Sequence, residues 1–365
     1  MIQFGRPSRP PVLEKEVRSL DLERFIREVT RKPGVSGYEC GVNGYIAEQF
    51  KPLVDSVEID VMQNVIARVG SEGPVVTISA HQDEIGMVVT KIEENGSVRL
   101  HRNGGVDPRI LPSLEVEIQG RKGPVYGVIG SRPPHVQTPD EQQKAIKFDE
   151  IFVDTGYPVE KVRELVRIGD PVVMLAEPQI LADGGMACKT MDDRASVAAM
   201  LVAAEELKRM NVKAQVCFVA SSQEEVGAYG AQTAAYTTDP DFAIAIDVTH
   251  GEGPGTGKFQ AFPLDKIVIE RGPFIHRKLG RKMEAVAKKY RIPFEVCASG
   301  GFTGTDTDTM QVVRGGIPMS LLSIPLRYMH TTVETLKLDV IRDAGRLMAM
   351  TIAEMAEEWE GFQWY

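Results

Sequence analysis

The sequence predicts an α/β fold: a mostly parallel sheet with helices on both faces, interrupted by a small β-rich insertion. Three observations predict it. Short apolar runs such as "VVTIS" (75–79) and "FAIAIDV" (242–248) have the two-sided character of buried strands. From Asp192 onward such runs alternate with helical patterns, as βαβ units do. Between about Met87 and Leu175 the texture changes to short β-rich pieces broken by glycine and proline.

The elements follow in order. Leu22, Phe25, Ile26 and Val29 share one face, so residues 20–32 form a helix that Pro33 and Gly34 stop. Ser36 is placed to cap a second helix running through Phe50. Strands are expected over 54–59, 65–69 and 75–79, and "ENG" signals a hairpin inside the insertion. A short helix is expected over 158–166. Beyond it, "DDRASVAAMLVAAEELKRM" is a long helix, "AQVCFVAS" a strand and "AYGAQTAAY" the start of a helix. "FAIAIDV" and "KIVIE" are strands, "IHRKLGRKMEAVAKKY" is a helix, "IPMSLLSI" is a strand, and the helix beginning at "TLKLDV" closes the chain. The expected division is an irregular N-terminal arm over 1–19, a catalytic domain over 20–86 and 176–365, and an inserted β-rich domain over 87–175.

The 365 residues carry a formal net charge of -9, with 25% charged and 43% hydrophobic residues. That acidity disfavours nucleic acid and membrane surfaces as partners. The N-terminus lacks the apolar core of a secretory signal, and no apolar run approaches the roughly 20 residues that span a bilayer. Cys40, Cys188, Cys217 and Cys297 form no CxxC and are expected as reduced, buried thiols. A cytoplasmic protein is the expectation.

In open α/β sheets the ligand site lies at the carboxyl ends of the strands. His81, Asp83 and Glu84 follow the strand at 75–79 within "AHQDEIG". Glu224 and Glu225 follow the 214–221 strand, Asp247 ends the strand after that, and His330 lies beyond the strand at 317–324. Asp192 and Asp193 open the long helix. Five distant segments thus deliver histidine or carboxylate to one edge, a donor set suited to zinc, cobalt or manganese. So many ligands exceed one catalytic ion and point to two. Asp192, short and at a helix start, suits the bridge between them. Asp83 is placed to fix the His81 tautomer. Of Glu224 and Glu225, one binds metal and the other stays free as general base. His101, His135 and His276 are read as structural. His250 is left unassigned, because strand alternation points it away from Asp247.

"SAHQDEIGMVV", "MDDRASVAAML", "SSQEEVGAYGA", "AIDVTH", "GTDTD" and "IPLRYMHTTVE" resemble, in order and spacing, the TET-type dinuclear metal aminopeptidases. That family includes glutamyl and deblocking aminopeptidases, and some members are labelled endoglucanases. The match covers nearly all of 20–358. The resemblance implies His81 and Asp247 on separate ions bridged by Asp192, with Glu225 and His330 completing the shells and Glu225 beside either partner. It implies Glu224 as general base, a cis bond between Asp192 and Asp193, and a segment 301–306 lining the S1 side. It also implies short peptide substrates, a dimerising inserted domain, and homo-oligomers from dimers to hollow tetrahedral dodecamers. Gln82, where the family has Met, and Tyr229, near its usual basic residue, depart from the pattern and leave the metal set intact.

The function expected is a metal-dependent aminopeptidase. A deacylase or deblocking peptidase is the neighbouring alternative. A glycoside hydrolase normally needs two carboxyl groups and no metal, which would leave both histidines unexplained. A non-catalytic scaffold would lack the base, and Glu224 is present.

Overall fold

The computed structural model describes residues 20–210, 212–257 and 260–364; the arm expected over 1–19 lies outside them. Helix α1 (Leu22–Val29) buries Leu22, Phe25, Ile26 and Val29, the face read from its spacing, and Asp21 caps it by accepting from the Arg24 N–H. Helix α2 is Asn43–Phe50, shorter than expected. A 3₁₀ turn over Glu39–Gly41 precedes it, so Ser36 does not cap it; the Ser36 hydroxyl donates to Asp83 instead.

Three strands follow, β1 (Ser56–Ile59), β2 (Val65–Val69) and β3 (Val75–His81). Six more, β4 (Gly86–Ile92), β5 (Val98–Asn103), β6 (Glu115–Gly120), β7 (Gly123–Ile129), β8 (Phe152–Asp154) and β9 (Pro171–Met174), close into an antiparallel barrel in the order β4-β5-β8-β7-β6-β9. "ENG" forms the β4–β5 hairpin. The barrel encloses its own core, built around Met87, Val98, Leu111, Ile118, Val153 and Val172. Helices α3 (Pro139–Gln143) and α4 (Val159–Leu165) lie in its connections.

The chain then forms β10 (Gln179–Ile180), β11 (Gly185–Cys188), α5 (Met191–Met210), β12 (Gln215–Ser221), α6 (Tyr229–Thr238) and β13 (Phe242–His250). After these come β14 (Ile267–Arg271), α7 (Arg277–Lys289), β15 (Phe294–Ala298), α8 (Thr307–Met310), β16 (Met319–Leu326), β17 (Glu334–Lys337) and α9 (Leu338–Glu358). Eight strands make one sheet in the order β1-β2-β12-β3-β13-β16-β14-β15. Its centre, β12-β3-β13-β16, is parallel, and β14 pairs with β15 in parallel too. The pairs β1–β2, β2–β12 and β14–β16 are antiparallel. The closing helix begins later than its pattern suggests, because residues 334–337 are drawn into an antiparallel ladder with β11.

Apolar residues of α1, α2, α5, α7 and α9 pack on one face of the sheet. Ala231, Ala235 and Met310, from α6 and α8, pack on the other with Ala243 and Ala245. Helix α5 is buried on nearly every side. Gly345 lets α9 approach it: a Cβ there would sit 2.6 Å from the Ala199 carbonyl oxygen and from Val202. No helix among the described residues is long and apolar enough to cross a membrane. The four cysteines are free thiols, but only Cys188 and Cys217 are buried. Cys40 is exposed and Cys297 half-buried, which corrects the expectation of four buried thiols.

Candidate metal centre

Because β12, β3, β13 and β16 run in parallel, their carboxyl ends meet at one edge. His81 is the last residue of β3, and the 3₁₀ turn Glu224–Val226 follows β12. Asp247 lies on β13, and His330 on the loop after β16. Asp192 opens α5 and is joined to Asp193 by a cis peptide bond.

These side chains form two groups that share one residue. Ligand atoms of His81, Asp192 and Asp247 lie within 4.8 Å of one another, and so do those of Asp192, Glu225 and His330. Asp192 Oδ1 is 3.0 Å from His81 Nε2, and Asp192 Oδ2 is 3.3 Å from His330 Nε2. Glu225 Oε1 is 3.2 Å from His330 Nε2. The geometry therefore corrects one expectation: His81 and Asp247 stand on the same side of Asp192, not on opposite sides. Glu225 falls with His330. Glu224 belongs to neither group, and its Oε2 is 3.9 Å from His81 Nε2.

The electrostatics are those of a site built for cations. Asp192, Asp193, Asp247 and Glu334 are buried beside the two histidines. Burial pushes the Asp247 and Asp193 carboxyls well up, and neighbouring carboxylates push them further. Burial also raises Glu224, to about 10, against the pull of His81 and with the charges of Asp247 and Asp306 adding to it. Burial would raise Asp192 as well, but its pairing with His330 and His81 outweighs burial and holds it low. Burial opposes the charge on His330, yet Asp192 and Glu225 hold it protonated up to about 11. Without cations, then, protons must neutralise this cluster. His81 Nδ1 lies 3.2 Å from the carbonyl oxygen of Asp83, which accepts its proton and leaves Nε2 facing Asp192 and Asp247. A nitrogen lone pair and several buried carboxylates converging on one point fit divalent metal.

A family model, M42 glutamyl aminopeptidase, matches residues 63–347. The chain belongs to the M42 glutamyl aminopeptidase family. A lysyl aminopeptidase of Pyrococcus furiosus is 37% identical over 315 residues, which cover 85% of this chain and 90% of that protein. An aminopeptidase from the archaeon Desulfurococcus kamchatkensis superposes with a TM-score of 0.85 at 35% identity, over 93% of this chain and 96% of that one. A TET peptidase of Pyrococcus horikoshii, described as assembling into a tetrahedron or a large octahedral shell, superposes with a TM-score of 0.81 at 30% identity, over 91% and 99% of the two chains. As an M42 member the protein is a peptide hydrolase of the aminopeptidase class, and metal dependence is typical of that family.

In this M42 chain each polar residue of "AHQDEIG" has a place. Gln82, the departure from the family pattern, donates from Nε2 to the carbonyls of Gln63 and Ala220. Glu84 pairs with buried Lys189 and with Arg194, and accepts from the Gly34 N–H, so it ties the start of α5 to the sheet. Asp83 sits behind His81, with Oδ1 3.5 Å from Nδ1, and is a member of neither ligand group. It is a positioning residue.

Two residues placed to position the site, Glu39 and Glu334, escape a sequence reading. Gln223 and His330 both occupy left-handed backbone, with φ of 58° and 60°, a conformation costly outside glycine. The Gln223 N–H donates to Glu39 Oε1 at 3.0 Å, and the His330 N–H to Glu334 Oε1 at 2.9 Å. Glu334 Oε2 also accepts from the Asp192 N–H at 3.1 Å. Two buried glutamates thus pin the turns that deliver the ligands. The usable signal was Glu334 standing four residues past His330. Nothing local marks Glu39.

His101, His135 and His276 lie outside both groups. His101 sits on β5, and His276 places its ring edge against Trp364. His250 ends β13 and is exposed.

Proposed function

We propose that this aminopeptidase works with two divalent ions, zinc or cobalt, with manganese as a substitute. His81 and Asp247 would hold one ion, Glu225 and His330 the other, and Asp192 both. One observation carries this assignment: the two oxygens of Asp192 face different histidines, at 3.0 and 3.3 Å. When bound, the ions would supply Lewis acidity to the first peptide carbonyl and acidify a water between them.

The chain's own residues do the rest. Glu224, whose backbone N–H is fixed by Asp83, keeps its carboxylate out of both ligand groups. Its Oε2 takes the water's proton and returns it to the departing amine. Burial of this acidic cluster favours a positive group at its mouth. The free α-amine of a peptide is such a group, so the first residue is the one removed.

The barrel supports self-association. Tyr126 and Val128 alternate outward on β7 and stand exposed, an apolar pair suited to a second copy. Relatives described as shells and dodecamers are consistent with a homo-oligomer built from dimers.

The test is metal-stripped protein reloaded with zinc, cobalt or manganese and given peptides with free and with acetylated N-termini. Mass spectrometry should show stepwise loss of single residues from free N-termini alone. Equal cleavage of acetylated peptides would replace this proposal with a deblocking activity.

A further inference from the structure

The site's substrate class can be taken further, on the basis of the aminopeptidase proposal above. A cavity of about 210 Å³ is lined by the last residues of β13, Val248 to His250. Its lining includes Val248, next in the chain to Asp247, and Ser323, paired with Asp247 across the β13–β16 ladder. Glu270 and Cys297 line it as well.

The sheet register relates the cavity to the chemistry. Ser323 pairs with Val268 on β14, and Glu270, two residues on, pairs with Cys297 on β15. Side chains alternate along a strand, so Asp247, Ser323, Glu270 and Cys297 all stand on one face. Two strand spacings and two residues of rise place the Glu270 and Asp247 Cα atoms about 12 Å apart. That is the span of one long side chain plus the groups holding its α-amine.

Glu270 is 6% exposed. Burial pushes its carboxyl up, opposed by a hydrogen bond with the Cys297 thiol. Among the described residues no lysine or arginine pairs with it. A buried carboxylate without a cation is costly. The cavity walls also include the hydroxyl residues Thr303, Thr305 and Ser323, which tolerate a polar chain.

We propose that this cavity receives the side chain of the substrate's first residue, and that Glu270 selects lysine and arginine there. A four-carbon stem would run along the walls and bring its ammonium to the Glu270 carboxylate. Arginine would offer two N–H groups to the same oxygens.

The test compares kcat/KM for the p-nitroanilides of lysine, arginine, norleucine, leucine and glutamate, with the metal-loaded protein. Norleucine keeps the lysine stem and lacks its charge. Lysine should exceed norleucine by about 10-fold or more, since a site built around a polar partner rejects the analogue lacking it. In Glu270→Gln that ratio should collapse towards one, through KM more than kcat. Equal turnover of lysine and norleucine by the unaltered protein would overturn the assignment, as would an unchanged ratio in the variant. Turnover of no free-amine substrate, with any metal, would instead remove the aminopeptidase proposal on which this rests.

Discussion

Asp83 Oδ1 accepts the backbone N–H of Glu224 at 3.1 Å. The same carboxylate takes the Ser36 hydroxyl at 2.6 Å and the N–H of Glu225 at 3.3 Å, and lies behind the His81 ring. One side chain therefore sets the orientation of a metal-ligand candidate and the direction of the proposed base. Asp83→Asn would turn donors towards N–H groups that already donate. Its kcat should fall about 10–100-fold, the usual cost of removing a ligand's orienting partner. Steady-state kinetics on a free-amine peptide measures it, and kcat within twofold of the unaltered protein would contradict the positioning role.

Glu224→Gln should keep both ions and lose at least ~10³-fold in kcat, near the upper part of what general acid–base work supplies. Elemental analysis beside the kinetics separates loss of the base from loss of metal. Turnover close to that of the unaltered protein would remove Glu224 from proton transfer.

Gly105 carries no side chain against the His330 ring, whose Nδ1 lies 3.3 Å from the Gly105 carbonyl oxygen. A Cβ at Gly105 would stand 2.6 Å from that nitrogen. Gly105→Ala should therefore displace His330 and weaken the group of Asp192, Glu225 and His330 while sparing that of His81 and Asp247. The expected outcome is occupancy falling from about two ions towards one, read by metal titration. Unaltered occupancy would mean that the barrel loop does not support the ligand.

Glu39 gives a pH signature. Burial, opposed by the N–H groups of Gly37 and Gln223, raises its carboxyl to about 7 in the folded chain, from 4.5. The folded protein then holds a proton that the unfolded chain has released. This group's contribution therefore favours folding least above its folded value: stability is lost as pH rises from 4.5 to about 7, and is flat beyond. The shift corresponds to at most about 3 kcal/mol. Glu39→Gln keeps an acceptor for the Gln223 N–H and removes the proton, so its gain in melting temperature should grow across that interval. A gain independent of pH would show that Glu39 does not titrate there.

The parallel centre of the sheet was legible because its strands are apolar on both faces and end in charge. "VVTIS" followed by His81 and "FAIAID" ending at Asp247 carry that signature in a few residues each. The barrel was legible only as a change of texture. Its closure depends on β4 meeting both β5 and β9, partners on either side of the hairpin stretch, and no local pattern encodes that pairing. The candidate ligands were visible as residue types at strand ends, but how they divide around Asp192 was not. That division depends on the rotation of α5 against the strand ends, which is set by packing among Arg194, Glu84 and Lys189. Glu39 and Glu334 were hidden for a related reason. They act on backbone N–H groups, at a sequence distance of 184 residues in the case of Glu39 and Gln223.

The most direct test of a shared Asp192 is the metal stoichiometry of the purified chain beside Asp192→Asn, by elemental analysis after loading with zinc and removing excess. The shared carboxylate predicts about two ions per chain in the unaltered protein, and loss of both from the variant, because each group loses the same ligand. Two ions retained in Asp192→Asn, or one ion in the unaltered protein, would contradict it.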